Sequence, residues 1–208
     1  MTSSSEPKNK RKAVARTKLL EAALSVIRAQ GYAATSVDDL CRAAGVTKGA
    51  FFHHFKTKDD LAVAAADYWS QVTGALFKGA PYHDHEDPLD RLLGYLDFRK
   101  ALIAGSVPEF TCLVGTMTQE VYDTSPAIRE ACADSICGHA DTLVADIAAA
   151  AERHRITLPC SAESLALHTQ AVIQGGFIVA KARNEPQQAI DSIDHLTRYV
   201  RLLFNLPA

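Results

Sequence analysis

Residues 35–58 read TSVDDLCRAAGVTKGAFFHHFKTK, and this segment decides the fold. It predicts two short helices joined at Gly45, a residue type that commonly ends a helix in the left-handed conformation. The Ser-x-x-Asp pattern at Ser36 predicts the start of the first helix, and Thr47 predicts the start of the second. Such a pair, here about residues 36–55, forms a helix-turn-helix whose second helix can enter the major groove of DNA. We expect its shared core to contain Val37, Leu40, Cys41, Val46, Phe51 and Phe55.

Helical apolar spacing continues on both sides of this segment. Residues 11–29 predict a helix before it, and the pattern Thr57-Lys58-Asp59-Asp60 predicts the start of a longer helix after it. A polar break at residues 79–88 precedes five more predicted helices, over residues 88–104, 108–123, 126–153, 162–183 and 187–205. No stretch sustains the alternation of apolar and polar residues that a strand shows. The sequence therefore predicts an all-α protein.

The charge distribution indicates a basic module joined to a larger acidic one. The chain has 208 residues, of which 48% are hydrophobic, and this is enough for a folded core. Residues 1–61 carry eleven basic and six acidic side chains, whereas the rest of the chain carries eleven and eighteen. Because polyanions bind to local positive patches, this basic head favours a nucleic-acid partner. A solubilising tail is the alternative interpretation of the same charges.

Other features argue against several classes of protein. No apolar run approaches the length of a membrane span, and the N-terminal region lacks an apolar signal core, so we expect a cytoplasmic protein with no membrane partner. The five cysteines show no CxxC spacing, which argues against a disulfide framework or a structural zinc site. Residues 83–87 (HDHED) form the densest set of potential metal ligands, but a solvated linker is the favoured interpretation. We predict no metal site and no cofactor.

The helix-turn-helix segment at residues 35–58, with the helices on either side of it, closely resembles the DNA-binding domain of the TetR family of bacterial transcriptional regulators. The resemblance covers about residues 13–73, and its matching positions are Leu20, Ala22, Ala23, Gly31, Tyr32, Thr35 to Val37, Asp39, Leu40, Ala43 to Gly49, Phe52, His54, Phe55 and Lys58. It implies a three-helix DNA-binding domain over residues 13–73. The basic residues Lys8, Lys10, Arg11 and Lys12 predict a flexible arm over residues 1–12, which could reach a minor groove or serve only as a solubilising tail. The resemblance also implies a helical ligand-binding and dimerisation domain over residues 78–208, and a regulator, most simply a repressor, without catalysis.

The resemblance assigns DNA contacts to individual residues. Ser36 and Thr47 would contact phosphate at helix starts, and His54 and Lys58 would contact the DNA backbone. Lys48, Gly49, Ala50 and His53 would lie at or near base edges. Gly49 and Ala50 would allow close approach there, and Ala50 could touch a thymine methyl group. The family commonly has Tyr where this chain has Phe52, so one hydroxyl-to-phosphate bond is absent. The complete predicted set is Ser36, Thr47, Lys48, Gly49, Ala50, Phe52, His53, His54 and Lys58.

A single helix-turn-helix reads only a few base pairs, so specific binding to double-stranded operator DNA predicts a homodimer on a pseudo-palindrome. The last two predicted helices carry apolar stripes that would suit a four-helix interface. The alternative is that both stripes face the core of the monomer. The interface is the favoured interpretation, and its predicted residues are Leu165, Val172, Gly175, Gly176, Val179, Ile193, Leu196, Val200 and Leu203.

Residues 88–183 are expected to bind a small-molecule effector of unknown identity that shifts the equilibrium between DNA-binding states. This half partly resembles a branch of the same family, the N-ethylmaleimide-reductase repressors. That branch responds to electrophiles through a cysteine at the position of Cys112 and has a lysine matching Lys181, but Thr111 departs from its usual Gly. Cys112 also fits plain packing, because free cysteine is commonly a small core residue. A non-covalent, mostly apolar ligand is therefore favoured over thiol sensing.

Two other classes of protein remain as alternatives. The first is a helical thiol enzyme with Cys112 as its nucleophile, although no sequence motif fixes a partner base or an oxyanion site. The second is a helical small-molecule carrier without DNA binding. Neither explains the pattern of residues 35–58.

Overall fold

The computed structural model describes the backbone of residues 6–207 and the side chains of residues 13–207. Within these residues the chain forms ten α-helices and one short 3-10 helix at Pro81–Asp84, with no strand. The prediction of an all-α fold is confirmed. The α-helices are α1 (Glu6–Gln30), α2 (Val37–Ala44), α3 (Lys48–His54), α4 (Lys58–Lys78), α5 (Pro88–Ala101), α6 (Val107–Phe110), α7 (Leu113–Val121), α8 (Pro126–His154), α9 (Ala162–Arg183) and α10 (Gln187–Leu203).

Local hydrogen bonds define the start and the end of α2. The Ser36 hydroxyl accepts a bond from the Asp39 N–H at 3.1 Å, and the Asp39 carboxylate accepts one from the Ser36 N–H at 3.0 Å. Gly45 ends the helix with a φ of 63°, in the left-handed region that glycine adopts without steric cost. These bonds satisfy backbone groups that the helix itself leaves free, and they confirm the predicted bounds of α2.

Helices α3 and α4 begin in the same way. The Thr47 hydroxyl accepts a bond from the Ala50 N–H at 3.2 Å, and Thr57 and Asp60 bond each other's N–H groups at 3.0 Å. Leu40, Cys41, Phe51 and Phe55 are buried, while Val37 and Val46 are partly buried. The predicted core of the helix-turn-helix is therefore confirmed, although two of its six residues are only partly buried.

The chain divides into two compact units. The first runs from the start of the described chain to Gln71 and adds Leu113–Ser135; the second comprises Val72–Cys112 and the residues from Ile136 onward. The predicted domains, 13–73 and 78–208, did not anticipate that residues 113–135 belong to the first unit. Glu120 of α7 explains part of this arrangement, because its carboxylate accepts bonds from the N–H groups of Tyr32 at 3.1 Å and Ala33 at 2.7 Å. The predicted arm over residues 1–12 overlaps α1, whose helical backbone begins at Glu6, and residues 1–5 lie outside the described residues.

The predicted helix over residues 108–123 is instead two helices, α6 and α7. Thr111 adopts an extended conformation between them, with φ −79° and ψ 160°. Glu109 accepts bonds from the N–H and the hydroxyl of Ser106, which fixes a single turn of helix before the break. Apolar residues continue with helical spacing across the break, so the sequence pattern did not reveal it.

The core of the second unit consists of side chains from α5, α9 and α10, together with the end of α4 and the second part of α8. Its fully buried members include Leu92, Tyr95, Leu96, Ile147, Leu165 and Ile193. Gly176 allows α9 and α10 to approach closely, because a Cβ atom there would lie 3.1 Å from Cβ of Ser192. Among the described helices, none combines the length and the hydropathy that crossing a bilayer requires.

Candidate nucleic-acid interface

Helix α3 turns one side to the core and leaves the other open. Phe51 is fully buried, whereas Lys48, Gly49, Phe52 and His53 are exposed. Phe52 is 55% exposed, which is unusual for a large apolar side chain on a short helix. This open side presents an amphipathic strip that a major groove could accept, because nothing in the described chain covers it.

The two predicted phosphate contacts at helix starts lie at exposed positions. Ser36 begins α2 and Thr47 begins α3, and both hydroxyls act as helix caps. The Ser36 hydroxyl also donates to the Asp39 carboxylate at 2.6 Å. Hydrogen bonds from Ser36 and the nearby charge of Arg42 hold the pKa of Asp39 below its ordinary value, so the capping carboxylate is ionised at neutral pH.

Lys48 already has an acidic partner on the neighbouring helix. Its Nζ atom lies 2.8 Å from the carboxylate of Asp38, and both side chains are more than half exposed. The hydrogen bond to Asp38 and the negative charge of that residue raise the pKa of Lys48. This ion pair was not predicted, and it would compete with a DNA phosphate for the same ammonium group.

Lys58 is engaged more fully than the other predicted DNA contacts. Its ammonium group donates to the carbonyl oxygens of Tyr32 at 3.0 Å and Thr35 at 2.9 Å, and it lies 4.1 Å from the centre of the Tyr32 ring. The side chain is partly buried. These contacts join the start of α4 to the turn after α1, a positioning role that the resemblance did not imply. His54 is also partly buried, and its ring lies 5.0 Å from that of His53.

The same turn holds a group of contacts that sequence reasoning missed. Besides the bond from its N–H group to Glu120, Tyr32 donates its hydroxyl to Asp59, which also accepts a bond from Ser125 at 3.3 Å. Burial and the bond to Asp59 raise the pKa of the Tyr32 phenol. Gly31 has a φ of +87°, and a Cβ atom there would lie 2.6 Å from Oε1 of Glu120. No local pattern near Glu120 indicates these partners, which lie almost ninety residues earlier in the chain.

The predicted dimer interface was wrong for most of its residues. Leu165, Ile193, Leu196 and Val200 are at most 2% exposed in the single chain, so a partner could bury almost none of their surface. Gly176 is buried against α10, and Val172 and Leu203 pack against the core of the second unit. The alternative interpretation, that the stripes face the core of the monomer, holds for these residues. Only Gly175 and Val179 of the predicted set lie on the outer side of α9, where a Cβ atom at Gly175 would meet nothing within 4 Å.

A different apolar face of α9 and α10 remains exposed. It contains Leu167, Ile178 and Val179 on α9 and Tyr199 and Leu202 on α10, and each of these side chains is at least 39% exposed. We call these five residues the outer face. Large apolar side chains exposed on two neighbouring helices are typical of a surface that another chain covers.

The structure places the candidate sensing residues in the second unit. Cys112 lies in the break between α6 and α7, is partly buried and packs against the core of that unit. Lys181 lies near the end of α9 and is also partly buried. Thr111 is fully buried, and its hydroxyl has no hydrogen-bond partner among the described residues. Cys137, by contrast, is exposed on α8.

The acidic and histidine-rich loop at residues 83–87 has structural partners. His83 Nε2 lies 3.1 Å from the Phe77 carbonyl oxygen, and Asp87 caps α5 by accepting a bond from the Leu89 N–H at 2.9 Å. Burial alone would raise the pKa of Asp87, but bonds from His154 and Leu89 outweigh it and hold the pKa below its ordinary value. Within the part of the chain with described side chains, no three His, Cys, Asp or Glu residues are grouped so as to hold a metal ion.

Two family models match the chain. One is described as "Bacterial regulatory proteins, tetR family" and matches residues 19–65, which contain the helix-turn-helix. The other is described as "Tetracyclin repressor-like, C-terminal domain" and matches residues 88–196, more than half of the chain. The chain therefore belongs to the TetR family of bacterial transcriptional regulators.

Individual proteins agree with this assignment. The transcriptional regulator AcuR of Cereibacter sphaeroides is 30% identical over 108 residues, which are 52% of this chain and 49% of AcuR, so the matched stretch spans about half the length of that relative. The reduced form of E. coli NemR is 21% identical with a TM-score of 0.76, covering 88% of this chain and 94% of that one. A cysteine mutant of the TetR family regulator CifR, solved with 26-bp double-strand operator DNA, is 17% identical with a TM-score of 0.72 over the same shares of the two chains. The two structural likenesses establish the fold.

Proposed function

We propose that this chain is a homodimeric transcriptional repressor that releases a pseudo-palindromic operator when a small molecule binds to its second unit. The open side of α3 is the observation that carries the proposal, because a helix that reads a major groove must keep that side uncovered. Its family membership supports the same function. The proposal contains no catalytic step.

The side chains of the first unit suggest how DNA would be read. Gly49 is exposed and Ala50 is partly exposed, so the backbone of α3 could approach base edges closely. Phe52 and Ala50 offer apolar surface that suits a thymine methyl group, and His53 offers a ring nitrogen. Ser36, Thr47, Lys48 and His54 would contact the phosphate backbone and fix the register. Lys58 would act through the turn that it supports instead of through a phosphate.

The outer face of α9 and α10 supports the dimer. Two copies are needed because one α3 helix reads too few base pairs for a useful specificity. An isologous contact of two such faces would form a four-helix interface and would bury five large side chains that are exposed in the single chain. We propose this face in place of the buried stripe that the sequence predicted.

A binding assay with DNA from upstream of the protein's own gene tests the proposal. Fluorescence anisotropy over a series of salt concentrations should give a steep fall of affinity with salt, because phosphate contacts release condensed counterions. Lys48→Ala should weaken binding and lower the salt slope by about one. Lys78→Ala, which removes an exposed lysine at the far end of α4, is the matched control and should leave both quantities unchanged.

Two results would count against the proposal. One is the absence of specific binding to every upstream fragment at low salt. The other is binding that Lys48→Ala and Lys78→Ala weaken equally, because this would show a general charge effect without a reading helix. Turnover of a substrate that is abolished in Cys112→Ala would instead support the thiol enzyme.

An electrophile is a second candidate effector, since Cys112 is only partly buried. N-ethylmaleimide also reacts with exposed thiols, so the assay uses Cys137→Ser as its background. If Cys112 is the sensor, the reagent should release DNA from Cys137→Ser and leave the double variant Cys112→Ser, Cys137→Ser bound. Equal release from both would refute sensing by Cys112.

A further inference from the structure

An aromatic cluster in the second unit surrounds one arginine. The guanidinium carbon of Arg99, on α5, lies 5.2 Å from the ring centre of Phe77, 5.8 Å from that of Phe177 and 6.0 Å from that of Tyr95. Phe77 also packs against Tyr95 and Phe98, with ring centres 5.7 Å and 5.4 Å apart. Aromatic faces attract the positive charge of a guanidinium. They are poor acceptors for its five N–H donors, so this environment leaves much of its bonding capacity unused.

Among the residues with described side chains, Arg99 has no acidic partner, unlike its neighbours on α5. Arg91 lies 2.7 Å from the carboxylate of Asp146, and Lys100 lies 2.8 Å from that of Asp194. Over residues 13–207, where side chains are described, the interactions of Arg99 are those with aromatic rings, and no carboxylate lies within 4.0 Å of its guanidinium. The residue is only partly exposed, so its charge is partly desolvated without a counter-charge. A bound anion would complete this arrangement.

Neutral polar groups lie next to the same rings. The buried Tyr95 hydroxyl accepts a bond from the Gln170 amide at 2.8 Å and lies 3.1 Å from Nε2 of His139. The His139 ring contacts that of Phe77, with centres 4.5 Å apart. Burial, assisted by the charge of Arg99, lowers the pKa of His139 to about 4, so the imidazole is neutral at pH 7. At that pH the net charge of this group of residues is the single positive charge of Arg99.

We infer that Arg99 binds the carboxylate of a small organic acid whose apolar body lies beside this aromatic cluster, where Phe77 and Phe177 are 6% and 8% exposed. A guanidinium offers two parallel N–H donors that match the two oxygens of a carboxylate, and the rings on either side favour an apolar remainder. Inorganic phosphate would use the charge but not the rings, so it should bind more weakly. The inference rests on the proposed function in that it names the chemical class of the effector.

Calorimetric titration of the full chain without DNA tests this inference. The probes are benzoate and hexanoate, each compared with its neutral amide, and inorganic phosphate is titrated separately. At least one carboxylate should bind with a dissociation constant of about 1 mM or lower, and its amide should bind at least about 10-fold more weakly. Absence of binding by both carboxylates at about 10 mM, or equal binding of acid and amide, would overturn the inference.

Variants test whether Arg99 is the residue that binds the carboxylate. Arg99→Gln should weaken carboxylate binding by about 10-fold or more. Arg99→Lys keeps the charge but loses the planar guanidinium, so its affinity should lie between those of the wild type and Arg99→Gln. Lys100→Gln removes the same charge one residue along α5 and should bind like wild type. Wild-type affinity in a folded Arg99→Gln protein, with folding checked by circular dichroism, would overturn the inference. Should Arg99→Gln fail to fold, the preference of the wild-type chain for acid over amide decides the matter.

The proposed function and this inference can fail separately. For the second readout, the carboxylate that binds in the calorimetric titration is added to the complex of the protein with operator DNA. Release of the DNA is expected. Carboxylate binding by a chain that binds no operator would contradict the repressor proposal and leave the Arg99 site intact. Operator binding by a chain that shows no preference for carboxylates would contradict only the inference.

Discussion

Lys48 must exchange one anionic partner for another if it is to contact DNA. In the free chain its ammonium group lies 2.8 Å from the Asp38 carboxylate, and both groups are largely solvated. An exposed pair of this kind contributes little to stability, so the fold does not depend on it. Asp38 nevertheless places a negative charge close to the incoming phosphates. If Lys48 contacts DNA as proposed, the pair weakens that contact while stabilising α3 only slightly.

We expect Asp38→Asn to tighten operator binding by about 2-fold to 10-fold at low salt, because it frees Lys48 and removes a repulsive charge. The thermal stability should fall only slightly, since an acidic residue in the first turn of α2 is worth a few tenths of a kcal/mol. Fluorescence anisotropy measures the affinity. Asp67→Asn removes an equal charge from an exposed position on α4 and is the control. An equal gain in both variants would show that net charge alone is responsible.

The sequence predicted the residues whose partners are close in the chain. Ser36 and Thr47 bond N–H groups three residues ahead, and Gly45 needs only its own backbone conformation, so a local pattern determines each of them. The partners of Lys48 and Lys58 are ten or more residues away. Their contacts depend on how the helices pack, which the residue pattern does not contain.

At the scale of the element, α7 stabilises the first unit through one carboxylate. Both oxygens of Glu120 accept backbone N–H groups, from Tyr32 and Ala33, and the absence of a Cβ atom at Gly31 leaves room for them. Hydrogen bonds to a charged acceptor are about twice as strong as neutral ones. The turn between α1 and α2 therefore depends on a residue that follows it by almost ninety positions.

Glu120→Gln should lower the free energy of unfolding by about 1–2 kcal/mol, because the amide keeps one acceptor oxygen and loses the charge. For a chain of this length that corresponds to a fall of about 2–8 °C in the melting temperature, measured by circular dichroism. Glu130→Gln changes an exposed residue of α8 in the same unit, with only a 3.9 Å contact to Arg129. Melting temperatures that fall equally in the two variants would contradict a specific role for Glu120.

Helix periodicity predicted the elements better than their partners. The predicted and observed bounds of α9 agree, yet the apolar stripe of α10 was assigned to the wrong neighbour. A stripe with Ile193, Leu196 and Val200 shows only that one face of a helix is covered. Either a second chain or the core of the same chain could cover it. Burial in the folded chain resolves this ambiguity. The break between α6 and α7 needed a different observation, the extended backbone of Thr111.

At the scale of the whole molecule, the proposed repressor needs two reading helices held at a fixed separation. The first unit supplies one such helix in each copy, and the outer face of α9 and α10 is the surface proposed to join the copies. Ile178 lies on this face and is 46% exposed. If the face is the dimer interface, a charge at this position would be buried without a partner in the assembly, at a cost that weakens association strongly.

Ile178→Asp should therefore be monomeric at micromolar concentration and should bind the operator at least about 100-fold more weakly than wild type. Light scattering coupled to size exclusion gives the mass, and circular dichroism should show an unchanged fold because residue 178 is exposed in the single chain. Leu76→Asp provides a close control, since Leu76 is also 46% exposed but lies on α4, outside the outer face. It should remain dimeric and bind DNA normally. A dimeric Ile178→Asp protein, or a monomeric Leu76→Asp protein, would place the interface elsewhere.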